Sequence, residues 1–153
     1  MKKFNLIILL ILFSVFLSSC ATVYHPPKAS EPTSLVRVKN ERSGLATWIS
    51  LQVEEIDNRS AGLQLMPGNL RIYPGIHTLT IKSMFNKGFF SSGPFEAFSD
   101  IKADFKANEA YIVQAKVDGA QLLVWISDKT GRRISSLTKT PYRTAARPMI
   151  LLG

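Results

Sequence analysis

The stretch Leu70-Arg71-Ile72-Tyr73-Pro74-Gly75-Ile76-His77-Thr78-Leu79-Thr80-Ile81-Lys82 alternates apolar and polar residues on both sides of a Pro-Gly pair. Leu70 and Ile72 share one face of a first run. In the second, His77, Leu79 and Ile81 lie on one side, and Thr78, Thr80 and Lys82 on the other. Period two is the spacing of a β-strand with one buried face. Proline presets φ and glycine supplies φ > 0, so Pro74-Gly75 reads as a tight turn between two strands.

The same alternation extends in both directions. Upstream, Val36 and Val38 oppose Arg37 and Lys39, and Ile49, Leu51 and Val53 oppose Ser50, Gln52 and Glu54. Asp57-Asn58-Arg59 marks a turn, and Leu63 and Leu65 begin a short strand that stops at Met66-Pro67-Gly68-Asn69. Downstream, Ile101, Ala103 and Phe105 form one inward set, Tyr111, Val113, Ala115 and Val117 the next, and Leu122, Val124 and Ile126 a third. Asp118-Gly119 predicts a hairpin and Asp128-Lys129-Thr130-Gly131 a turn, with a further strand over 132–137. About seven or eight short strands, with no sustained helical period, describe an all-β chain. Polar outer faces favour an antiparallel sheet, so 35–138 is predicted to be a single antiparallel β-sandwich or small barrel.

What flanks this domain is different. Ala21 to Ser34 holds Pro26, Pro27 and Pro32 among few apolar residues, and reads as a linker that reaches roughly 40 Å when extended. Residues 139–153 form a basic tail carrying Lys139, Arg143 and Arg147, with Pro141 and Pro148 against a long helix. The apolar run Met149 to Leu152 is predicted to pack back as an edge strand. At the start, Lys2 and Lys3 precede an apolar run from Leu6 to Leu17 broken only by Ser14. A dozen residues make a secretory h-region, whereas a membrane span needs about 20.

That run ends in Leu17-Ser18-Ser19-Cys20, which contains the chain's only cysteine. The stretch resembles the lipobox of bacterial lipoproteins at all four positions. The resemblance implies a signal peptide over 1–19, cleavage before Cys20, and a diacylglyceryl thioether on the Cys20 sulfur. The linker over 20–34 would then be lipid-anchored. One myristoyl-sized chain binds a membrane only marginally, while two or three hold a protein there without a spanning helix. In that family an Asp after the cysteine retains the product at the inner membrane. Ala21 stands there instead, which implies the outer membrane, facing the periplasm.

The block from Leu70 to Ile81, together with Ala110-Tyr111-Ile112-Val113, is similar to segments of small envelope β-sandwich lipoproteins of unknown function. This likeness implies an immunoglobulin-like or transthyretin-like sandwich and supplies no activity.

The chain carries 19 Lys and Arg against 11 Asp and Glu. Without Lys2 and Lys3 the balance is 17 to 11, or +6. Outside the cytoplasm such a balance points to phosphorylated headgroups or wall polymers rather than nucleic acid, or serves only to keep a small domain soluble.

No catalytic set is visible. His25 sits in the linker, and His77 is the only histidine of the domain. There is no His/Glu pair at ligand spacing, no Gly-x-Ser-x-Gly elbow and no phosphate-cradling loop, so no enzyme, metal or cofactor is expected. Asp100 and Asp104 read as an outer polar face. His77 is expected on the inward side, donating to a backbone carbonyl. Between Met84 and Phe98 five phenylalanines fall among Gly88, Gly93 and Pro94. Phe95 and Phe98 are expected to fold back on the core. Phe89 and Phe90 beside Lys87 either cap the core or form an apolar tip for a partner. A non-enzymatic envelope protein that binds a partner through Lys87, Phe89 and Phe90 is the first expectation. The alternative is binding of an anionic envelope glycan or lipid through Arg132, Arg133, Arg143 and Arg147.

Overall fold

A computed structural model describes residues 22–44, 46–62 and 69–146. Cys20 and its leader, the strand expected at Leu63 and Leu65, Arg147 and the run from Met149 to Leu152 lie outside the described residues. Eleven strands form in chain order: β1 (Ser34–Val38), β2 (Glu41–Ser43), β3 (Thr47–Ile56), β4 (Arg59–Ser60), β5 (Leu70–Ile72), β6 (Gly75–Lys87), β7 (Phe95–Phe105), β8 (Ala110–Asp118), β9 (Gln121–Asp128), β10 (Thr138–Pro141) and β11 (Arg143–Thr144). No helix is present among the described residues. One sheet has the order β10-β9-β8-β1-β5; the other runs β11-β7-β6-β3-β2, with β4 paired to β3. The two sheets pack face to face as a β-sandwich.

The alternation legible in the sequence becomes the core. Leu79, Ile81 and Phe85 of β6 meet Ile101, Ala103 and Phe105 of β7, with Val113, Leu122, Val124 and Ile126 of the facing sheet. Burying each large side chain contributes about 1.5–3 kcal/mol. In β3 the register slips between Val53 and Glu55. This bulge reverses the parity, so Ile56 enters the core after Leu51 and Val53. Aromatic rings fill each end: Phe105 lies edge-on to Tyr111 at 5.1 Å, and Phe85 edge-on to Tyr142 at 4.9 Å. Between β7 and β10 the Ser99 and Thr140 hydroxyls pair at 2.7 Å.

Several expectations are corrected. The Pro74-Gly75 turn between two strands does form, but β5 and β6 belong to different sheets, and the turn carries the chain between them. Gly75 takes φ 127° there, a conformation that a side chain would strain. The predicted antiparallel-rich sandwich is present, with one parallel ladder in it: β1 pairs with β8, Leu35 opposite Ala110. No strand forms over 132–137, where only a Ser127–Arg133 bridge occurs. The strand that follows β9 is β10, so the sandwich continues past residue 138 into the stretch read as a tail. Tyr142 packs against the core and Ala145 is buried. Phe98 points outward under Lys82, 5.8 Å from its ring, instead of into the core.

The linker is also shorter than its composition suggests. Val23 bridges Ser60, the Tyr24 amide donates to the Ser60 carbonyl at 2.8 Å, and the Ser60 amide donates to that of Thr22 at 3.0 Å. The Tyr24 ring is buried and its hydroxyl accepts from the Tyr73 amide at 3.1 Å. Arg71 donates to the Lys28 carbonyl at 2.7 Å, and Tyr73 to the Glu31 carboxylate at 3.2 Å. Residues 22–33 therefore lie on the sandwich.

Candidate functional site: two opposed poles

Strand direction gives the sandwich two ends. At one lie the Asp57-Asn58 turn, the start of β6 and the docked segment 22–33. At the other lie the β6–β7 loop and the Gly119 turn. The thirteen residues of β6 separate them by about 40 Å at ~3.3 Å per residue.

The far pole carries the aromatic tip. Phe89 and Phe90 occupy the corners of a turn closed by the Ser91 amide donating to the Gly88 carbonyl at 3.2 Å. The Ser91 hydroxyl also bonds Gly88 at 2.8 Å and reaches the Asn86 side chain. Phe89 is 76% exposed and Phe90 fully so. Neither ring caps the core. Lys87 braces the base of the tip: its Nζ donates to the Tyr142 hydroxyl at 2.6 Å and sits 4.9 Å from that ring and 5.1 Å from Phe95. Tyr142 in turn donates to the Gly119 carbonyl at 2.7 Å. A Cβ at Gly93 would stand 3.0 Å from two Phe95 ring carbons, so a side chain there would press on that ring.

The near pole holds His77. It faces inward as expected, but its partner is a carboxylate and not a backbone carbonyl. Nδ1 donates to Asp57 Oδ2 at 2.6 Å, while Asp57 Oδ1 accepts from the Thr78 amide at 2.9 Å. Asp57 and Asn58 take φ of 50° and 61°, the left-handed pair of a two-residue hairpin between β3 and β4. Burial pushes the Asp57 carboxyl up, but the Thr78 and His77 hydrogen bonds outweigh it and hold its pKa below the ordinary value. His77 Nε2 is buried without a hydrogen-bond partner among the described residues.

The basic residues do not form one site. Arg132 and Arg133 follow β9 at the near pole, whereas Arg143 lies at the far pole on β11, opposite Glu96. Arg132 Nε is 3.1 Å from Asp128, and Arg143 Nε 2.9 Å from Glu96. An open recess of about 430 Å³ at the near pole gathers Lys106, Lys129 and Arg132. Each cation there has a carboxylate beside it: Asp104, Glu109 and Asp128. Its charges therefore balance. Among the described residues no three His, Cys, Asp or Glu side chains are grouped so as to hold a metal. Asp100 and Asp104 both face solvent, and Asp100 accepts from Thr80 at 2.7 Å.

Sequence reasoning missed the docking of Tyr24, and with it the exposed Val23 beside β4 and the exposed Tyr73 and Ile76 at the near pole. An aromatic residue inside a proline-rich stretch was the available signal. No protein-family model matches the chain, and no curated protein or solved structure matches it either.

Proposed function

We propose that this is a lipid-anchored, non-enzymatic envelope protein that binds a partner protein through the Phe89–Phe90 tip. Cys20 carries the lipid, on the outer membrane facing the periplasm. Lys87, exposed at the base of the tip, contributes to the contact face while its Nζ donates to Tyr142. The observation that carries the reading is the pair of exposed rings on a turn fixed by Ser91, at the end of the sandwich opposite the docked N-terminal segment. Covering each ring with a partner would contribute about 1.5–3 kcal/mol before the costs of association. The separation of Arg132 and Arg143, each beside its own carboxylate, weighs against a single anionic-polymer site.

Two experiments test this. Growth on labelled palmitate should label the wild-type chain and leave Cys20→Ala unlabelled. In-cell crosslinking from position 90 should yield a discrete protein adduct that disappears when Phe89 is changed to Ser. An adduct that persists there would remove the tip from the reading.

A further inference from the structure

Val23 pairs with Ser60 in parallel. β4 runs away from the Asp57-Asn58 turn, so in the described segment Thr22 lies on the near-pole side of Tyr24. Cys20 stands two residues before Thr22, and two residues span at most about 7 Å. A lipid on that sulfur would therefore leave the bilayer no room to be far from this pole. Six large hydrophobic side chains are exposed among the described residues. Two of them stand at this end, Tyr73 at 41% and Ile76 at 64%, whereas Val23 lies higher, level with Thr80 through Ser60 and Glu55. Ile76 lies beyond the level of Thr78, the residue that Asp57 clamps, and so projects further toward this end.

We propose that the near pole is a membrane seat. The sandwich stands on the bilayer that carries the Cys20 lipid, with Ile76 and Tyr73 in the headgroup layer and the strands roughly along the membrane normal. The occupant of this apolar patch is the lipid surface. Tyrosine suits that layer because its ring is apolar and its hydroxyl is polar. The cations of the recess add to the seat only where they exchange a carboxylate for a lipid phosphate. The Phe89–Phe90 tip then stands about 40 Å out from the membrane, beyond the reach of the lipids that anchor the chain. This orientation rests on acylation of Cys20.

The test uses the full lipidated protein in proteoliposomes. The Cys20 sulfur is consumed by the thioether, so Ile76→Cys and Phe90→Cys each carry one reactive thiol for an environment-sensitive dye. Headgroup spin-labelled lipids should quench the dye at position 76 at least threefold more than at position 90. Inserting a dozen Gly and Ser residues between Ala21 and Thr22 should reduce that ratio toward one. Equal quenching at the two positions in a protein that does take up palmitate would overturn the seat and leave the anchor standing. Absence of palmitate would overturn both. Ile76 and Phe90 are exposed, so neither substitution threatens folding.

Discussion

The Tyr24 hydroxyl accepts the Tyr73 amide at 3.1 Å, joining a segment with the composition of a linker to the turn region that links the two sheets. Tyr24→Phe leaves the part-buried Tyr73 amide without its acceptor and should cost about 0.5–1.5 kcal/mol. Tyr24→Ala also empties the ring's site and should cost about 3–5 kcal/mol. Urea denaturation measures both. Limited proteolysis should cut within 22–33 only in the alanine variant.

His77→Ala should lower the melting temperature without removing a crosslinked partner, since His77 serves the Asp57 turn at the pole away from Phe89. Loss of about 1–2 kcal/mol is expected for the broken pair and the space left beside Phe105. A variant that keeps its stability but loses its partner would contradict the structural role.

The Asp57 carboxyl has its folded pKa below the ordinary 3.8. Its contribution is therefore complete above that value and is lost as pH falls through the folded pKa. Denaturation midpoints of wild type and Asp57→Asn should differ near neutral pH and converge in acid. A difference that grows as the pH falls would reverse the assignment.

Phe89→Ser with Phe90→Ser should change stability by no more than about 0.5 kcal/mol, because neither ring touches the core. Calorimetry on the double variant checks this. A large loss of stability would place the rings inside.

Tyr142→Ala should cost about 3 kcal/mol or more. It removes the edge-on contact with Phe85, the bond to Gly119 and the acceptor of Lys87. Truncation after residue 138 should be at least as damaging, whereas a solvated tail could be cut without effect.

How much of this could be read in advance varies by residue. Leu79, Ile81, Ile101, Val113, Val124 and their neighbours were legible because period two states which face is buried whatever the partner strand is. Pairing was not. Nothing in Leu35-Val36-Arg37-Val38 says that its neighbour is Ala110 to Val113 in parallel, and Pro74-Gly75 has the same turn chemistry between paired strands as between sheets. The bulge after Val53 is silent for the same reason. β10 was hidden because Thr138-Lys139-Thr140-Pro141 carries no apolar stripe; it is held by backbone pairing to β9 and by Thr140 to Ser99. At the tip, composition announced five phenylalanines but could not divide them into buried Phe85 and Phe95 and exposed Phe89, Phe90 and Phe98.

The parallel ladder of β1 on β8 has a consequence for the order of assembly. β6 and β7 are joined by a short loop and can close as soon as both are made. β1 sits in the interior of its sheet, and its parallel neighbour arrives about 75 residues later in the chain, Leu35 to Ala110. Such distant pairings form slowly, because the intervening loop must close before they return anything. The first of the described strands is thus among the last to be sealed, and the seam between β1 and β8 closes only after the long stretch between them has been made.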